Sequence, residues 1–180
     1  MPSPAPGRSM RFGGSDQAVN PAWVRWLVLS GAIVIIDQLT KWMILARFHP
    51  GERSTVIADW FDLILAFNAG AAFSFLGDQS GWQRYLFAGL AIVVSIGLVW
   101  FLRRPGSTAL HLGLSLILGG AIGNLVDRLR IGEVVDFLLV YHGGWSWPAF
   151  NVADSAITTG AALLILDSFR QKRADPVDPA

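Results

Sequence analysis

Asp127, Arg128, Glu133, Asp136, Asn151 and Asp154 fall within one stretch, Gly119–Asp154, bounded by the apolar segments Leu110–Leu118 and Ala156–Leu166. Segments of that kind read as membrane-spanning. An ionisable group beside the bilayer interior is costly unless it pairs or lines a wet cavity, so acids kept there are functional candidates. Asp136 sits in Val134-Val135-Asp136-Phe137-Leu138-Leu139-Val140 with no adjacent cation, and burial would raise its pKa and suit it to proton transfer. Asp154 reads as lying about 7 Å into an apolar helix counted from Ala149, on a polar stripe with Asn151, Ser155 and Thr158. The bland alternative for either acid is an ion pair with Arg128 or Lys41. Two carboxylates close enough to share a proton have a sharper use: repulsion keeps one protonated, the ionised one draws a proton from water, and the other protonates a substrate carbonyl. That is the chemistry of an aspartic peptidase.

Other polar residues read as support. Asp37 and Lys41 form an i,i+4 acid–base pair, either neutralising one another or meeting substrate. Asn124 and Arg128 are a second i,i+4 pair beside Asp127, and the first reading of Asp127 and Arg128 is an ion pair or cap that anchors the helix end. Gly119-x-x-x-Gly123, with Gly120 between, lets another helix approach closely and reads first as a packing device. Asn68 opens the small-residue run Asn68-Ala69-Gly70-Ala71-Ala72-Phe73-Ser74. A Ser–Lys arrangement of Ser74 with Lys41 ranks below the paired carboxylates, because it needs Lys41 free of Asp37. His49, His111 and His142 are isolated and read as interfacial or structural. No metal-ligand spacing is present, so neither a metal nor another cofactor is expected.

The elements that must position these groups follow from composition. Of the 180 residues, 53% are apolar and only 15% charged, and the mean hydropathy is +0.47, the profile of an integral membrane protein. Several of the eight Trp (Trp23, Trp26, Trp100, Trp145, Trp147) flank apolar runs, as interfacial aromatics do. A net charge of +1 argues against a nucleic-acid partner, and the absence of cysteine removes disulfides and a thiol nucleophile. Residues 1–20 are Pro-, Gly- and Ser-rich without an apolar core and read as a disordered tail; 21–170 form one membrane domain; 171–180 read as a polar tail. The expected architecture is an all-α integral membrane protein. It has four transmembrane helices, near 21–45, 85–102, 109–129 and 149–169, with a small outer-face β-sheet from 46–67 and a short interfacial helix over 78–86. Residues 130–148 read as a Gly- and Trp-rich connection.

Arg8, Arg11 and Arg25, then Arg103 and Arg104, then Arg170, Lys172 and Arg173 fall on one side of a four-span chain. The positive-inside rule makes that side cytoplasmic, so both termini are expected inside, with 46–82 and 130–148 outside. Asp37, Lys41, Asn68, Asp127, Arg128, Asp136 and Asp154 then gather toward the outer leaflet.

Five ordered motifs carry a resemblance. They are Asp37-Gln38-Leu39-Thr40-Lys41; Asn68-Ala69-Gly70-Ala71-Ala72-Phe73; Gly119-Gly120-Ala121-Ile122-Gly123-Asn124 with Asp127-Arg128; Val135-Asp136-Phe137; and Phe150-Asn151-Val152-Ala153-Asp154-Ser155. In these the chain resembles the bacterial lipoprotein signal peptidases, or type II signal peptidases, over about residues 22–170. The resemblance implies an enzyme of the bacterial inner membrane that removes the signal peptide from prolipoproteins, cutting before a diacylglyceryl-modified cysteine. It also implies contact with membrane lipid and blockage by globomycin-type cyclic peptides. It places the catalytic aspartates on Asp136 and Asp154, with Asp127 in support. The Pro/Gly-rich head is longer than the family usually has.

Two other classes compete on the residues alone. A small proton-coupled carrier would also hold intramembrane acids, but these cluster at one face instead of crossing the membrane. A non-enzymatic membrane assembly factor would use the glycines and aromatics and would tolerate loss of both aspartates.

Overall fold

A computed structural model describes residues 23–70 and 82–174, with side chains placed to Arg170. Its elements in chain order are α1 (Val24–Leu45), β1 (Arg53–Ile57), β2 (Phe61–Asn68), α2 (Trp82–Leu102), α3 (Thr108–Arg130), β3 (Val134–His142), β4 (Trp145–Ser146) and α4 (Val152–Ala174). Among the described residues, four helices are long and apolar enough to cross a membrane. At 1.5 Å per residue the 22 residues of α1 reach about 33 Å, enough for a hydrocarbon core. Their outward faces carry Val28, Ile35, Val93, Ile96 and Ile165, all exposed, as lipid-facing side chains must be.

The four-span expectation holds, with shifts at three places. The second helix begins at Trp82, so residues 82–86, expected in a separate interfacial helix, are its first turn and a half; 78–81 lie outside the described residues, as do 1–20 and Ser74. The fourth helix begins at Val152 and not near Ala149. Residues 130–148 are not a plain connection, because they supply β3 and β4.

The antiparallel sheet has the order β1-β2-β3-β4. β3 is β-branched and aromatic, and Gly143 and Gly144, both at positive φ, turn it back into β4. The returning chain stays beside β3: Phe150 N–H donates to Leu138 O at 3.0 Å and Phe150 O accepts from Leu138 N–H at 2.8 Å. That pairing delivers Asn151 and Asp154 back to the strand holding Asp136. Beneath the sheet, Ile44, Leu65, Val135 and Phe137 form an apolar core with Phe48, Leu63 and Val152.

Among the spans α3 is central, and its glycines face two ways. A Cβ on Gly119 would lie 2.8 Å from Ser30 O of α1, and one on Gly123 would lie 2.7 Å from Asp37 Oδ2. A Cβ on Gly120 would lie 2.4 Å from Ala153 O, and one on Gly113 would lie 2.9 Å from Gly160 O, both on α4. Lipid offers little hydrophobic drive between helices, so close backbone approach and buried polar links hold the bundle together. One such link is Ser30 Oγ donating to Ser115 O at 2.9 Å.

Candidate active site

The site has two layers. The lower one is built on Lys41, 2% exposed. Its ammonium has three N–H bonds to give and meets Asp37 Oδ2 at 2.8 Å, Asp127 Oδ2 at 2.7 Å and Asn124 Oδ1 at 3.0 Å. No N–H is left over, so Lys41 has no free base function for a neighbouring serine. Gln38, quoted in a motif but not singled out from sequence, donates to Asp127 Oδ1 at 2.8 Å and to Gly123 O at 3.1 Å. Asp37 uses its other oxygen to accept from Ala153 N–H at 2.9 Å, a free donor in the first turn of α4. A carboxylate there is favoured by the helix dipole. Asp127 likewise accepts from Val135 N–H of β3 at 3.2 Å. One lysine and two aspartates thus tie α1 and α3 to the start of α4 and to β3.

This layer corrects one expectation. Asp127 takes Lys41 as its partner, not its neighbour Arg128. Arg128 donates to Asn124 O at 3.4 Å, lies with its guanidinium 5.4 Å from the Phe87 ring, and acts electrostatically on Asp154, Asp127 and Asp136.

The upper layer holds Asp136 and Asp154. Asp136, 2% exposed on β3, accepts from Asn151 Nδ2 at 2.8 Å and from Asn68 Nδ2, at the end of β2, at 2.9 Å. Burial pushes its carboxyl up to about 6; the Asn68 bond opposes the rise, the nearby Asp154 charge adds to it, and Asn151 and Lys41 oppose it. Asp154 stands in the first turn of α4, shallower than the 7 Å expected, since the helix starts three residues late. Asn151 caps that helix reciprocally: its Oδ1 accepts from Asp154 N–H at 2.9 Å, and its own N–H donates to Asp154 Oδ2 at 3.3 Å. Asn124 Nδ2 donates to Asp154 Oδ1 at 2.8 Å. Among the described residues no cation lies within ion-pair distance of Asp136 or Asp154, so the bland pairing with Arg128 or Lys41 is absent.

The structure thus brings most of the candidate site residues together. Asp37, Lys41, Asn68, Asn124, Asp127, Asp136, Asn151 and Asp154 belong to one hydrogen-bonded network, Arg128 borders it, and Gly120 sets the distance to α4. The histidines stand apart: His111 stacks on Trp26 and His142 on Trp60.

Four apolar spans roofed by a small sheet, with two carboxylates that no described cation pairs and that one asparagine bridges, define a polytopic membrane protein with a paired-carboxylate site. The family signature described as signal peptidase (SPase) II matches residues 29–170. The chain belongs to the signal peptidase II family, a family of proteases. It is 51% identical over 152 residues to the lipoprotein signal peptidase of Pseudomonas aeruginosa, covering 83% of this chain and 90% of that one. It is 49% identical to the lipoprotein signal peptidase of Pseudomonas putida, covering 98% of this chain and 99% of that one, so that alignment extends into the Pro/Gly-rich head. A solved bacterial membrane enzyme, determined by the in meso method at 2.3 Å, superposes with a TM-score of 0.75 at 30% identity over 87% of this chain and 94% of its own.

Proposed function

We propose that this protein removes the signal peptide from prolipoproteins as an aspartic endopeptidase, with Asp136 and Asp154 as the reacting pair. The observation that carries this reading is the contrast between layers. Asp37 and Asp127 are bound to Lys41, whereas among the described residues Asp136 and Asp154 are held by amide N–H donors without an ion pair and share Asn151. In the reaction, a water loses a proton to the ionised carboxylate as its oxygen bonds to the scissile carbonyl carbon. The protonated carboxyl gives its proton to the carbonyl oxygen. The resulting gem-diol collapses as the newly protonated acid donates to the leaving nitrogen, the C–N bond breaks, and a diol proton returns to the other carboxylate. No charge has to leave the pocket.

Substrate arrives from the lipid phase. The pair lies where α4 begins and the sheet starts, at the boundary of the apolar spans, so a bond presented there comes with a group that partitions into the bilayer. The diacylglyceryl chains on the cysteine after the cut supply that group, at about 0.8 kcal/mol per buried CH₂. Such remote binding energy positions the carbonyl and so raises the rate itself. The pair faces the outer side of the inner membrane, both termini are cytoplasmic, and globomycin-type cyclic peptides compete for the site.

The test uses a lipidated precursor peptide and the purified protein. Asp136→Asn and Asp154→Asn each abolish cleavage while leaving a folded protein, and the unlipidated precursor is cut orders of magnitude more slowly by wild type. Wild-type turnover in either variant would remove that aspartate from the pair. Equal rates on the two precursors would place recognition in the peptide alone.

A further inference from the structure

Asn124 stands between the two layers, and the chemistry of its neighbours decides which way its amide points. Lys41 can only donate, so the atom 3.0 Å from its ammonium is the carbonyl oxygen of Asn124. Asn151 Nδ2 supplies a second donor to the same oxygen at 3.3 Å. The other end of the amide, Nδ2, then faces Asp154 Oδ1 at 2.8 Å and can only donate. A flip would set an amide N–H against an ammonium and an oxygen against a carboxylate. Asn124 is 7% exposed, so water has little room to soften such a mismatch.

Resting on the aspartic-peptidase reading, we infer that Asn124 is a positioning residue that fixes Asp154 as the ionised member of the pair and leaves the shared proton on Asp136. Lys41 withdraws electron density through the amide, which makes Nδ2–H a stronger donor to a negative oxygen. The Asn151 main-chain N–H adds a donor to the other oxygen of Asp154, at the N-terminus of α4 where negative charge is favoured. Asp136 also receives two N–H bonds, from Asn68 and Asn151, whose own amide oxygens accept from neutral main-chain donors: Asn151 Oδ1 from Asp154 N–H and Asn68 Oδ1 from Gly70 N–H. Asp136 lies on a buried strand, not at a helix terminus, and its carboxyl is shifted upward by that burial. Among the described residues, the charged groups around the pair are Lys41, Asp37 and Asp127 from below and Arg128 from the side. Asp154 is thus the acceptor of the water proton, and Asp136 the donor to the carbonyl oxygen.

Asn124→Leu keeps the size of the side chain and leaves Lys41 its two carboxylate partners. It removes a donor only from Asp154, so the acidic limb of the kcat/KM–pH profile moves up while the basic limb stays. Asn68→Leu, which removes a donor from Asp136, moves the basic limb up and leaves the acidic one. Exchange of the two effects, or a fall in rate with neither limb displaced, would overturn the assignment. Infrared titration of the protonated-carboxyl C=O band keeps the inference testable should Asn124→Leu not fold. The band persisting to highest pH is lost in Asp136→Asn and kept in Asp154→Asn; the opposite pattern overturns the assignment. Wild-type turnover by both aspartate variants would instead remove the reacting pair itself, which separates the two failures.

Discussion

Replacing Asp136 by Asn should make the protein inactive and, above neutral pH, more stable. The carboxyl rises from an ordinary 3.8 to about 6 in the fold. At 1.36 kcal/mol per pH unit that difference is about 3 kcal/mol. A carboxyl with a raised folded value favours the native state only when protonated. The native state binds more protons than the unfolded chain between 3.8 and about 6, so stability falls as pH rises through that window and the full cost is present from about pH 7 upward. Asn carries no charge and escapes the cost. It gives up something else, because Asn68 and Asn151 both donate to Asp136 and an amide has one acceptor oxygen for the two; one of those two buried bonds is lost, at about 1–2 kcal/mol. The variant is therefore less stable than wild type near pH 4 and more stable by about 1–2 kcal/mol near pH 8. The difference between the two proteins swings by about 3 kcal/mol across the range, or about 6–12 °C in Tm for a chain of this size. Intrinsic Trp fluorescence during thermal unfolding in detergent, for both proteins from pH 4 to 8, measures it. A constant difference would refute the claim that burial raises the Asp136 carboxyl.

Lys41→Met strands Asp37 and Asp127 in a buried site and should cost about 3–5 kcal/mol, read as loss of the monodisperse protein on gel filtration in detergent; adding Asp37→Asn and Asp127→Asn should recover much of it. Gly120→Ala places a methyl 2.4 Å from Ala153 O, so the first turn of α4 must move and carry Asp154 with it. Cleavage should fall at least about 100-fold, as misplacement of about 1 Å does, whereas Gly89→Ala, with nothing within 4 Å, should leave activity alone. Cysteines placed singly at Arg53 and Gly144 should react with an impermeant thiol reagent in intact cells and one at Thr108 should not; the reverse pattern would invert the topology.

The spans were legible because an apolar run of about twenty residues has few other uses. β1 and β2 were legible from their β-branched and aromatic content. β3 was hidden for a physical reason: Val134, Val135, Asp136 and Phe137 are all buried, so both faces are covered and no alternation marks a strand. The signal that could have found it was Gly143-Gly144, a two-residue hairpin turn. The start of α4 was misplaced because Ala149 and Phe150 look like the beginning of an apolar span, yet Phe150 hydrogen-bonds to β3. Asn151-x-x-Asp154, a reciprocal cap, marks the true boundary. Sequence spacing paired Lys41 with Asp37 one helical turn away but could not bring in Asp127 from a different helix. That third partner decides how the acids divide. Because Lys41 is saturated by Asp37, Asp127 and Asn124, its hydrogen-bonded link to the upper layer runs through the Asn124 amide, and among the described residues no cation pairs directly with Asp136 or Asp154. A cation placed directly on either would hold it ionised and bar the exchange of protons that peptide hydrolysis requires. The same buried lysine can anchor four elements and still leave the reacting pair able to trade a proton only because Asn124 stands between them.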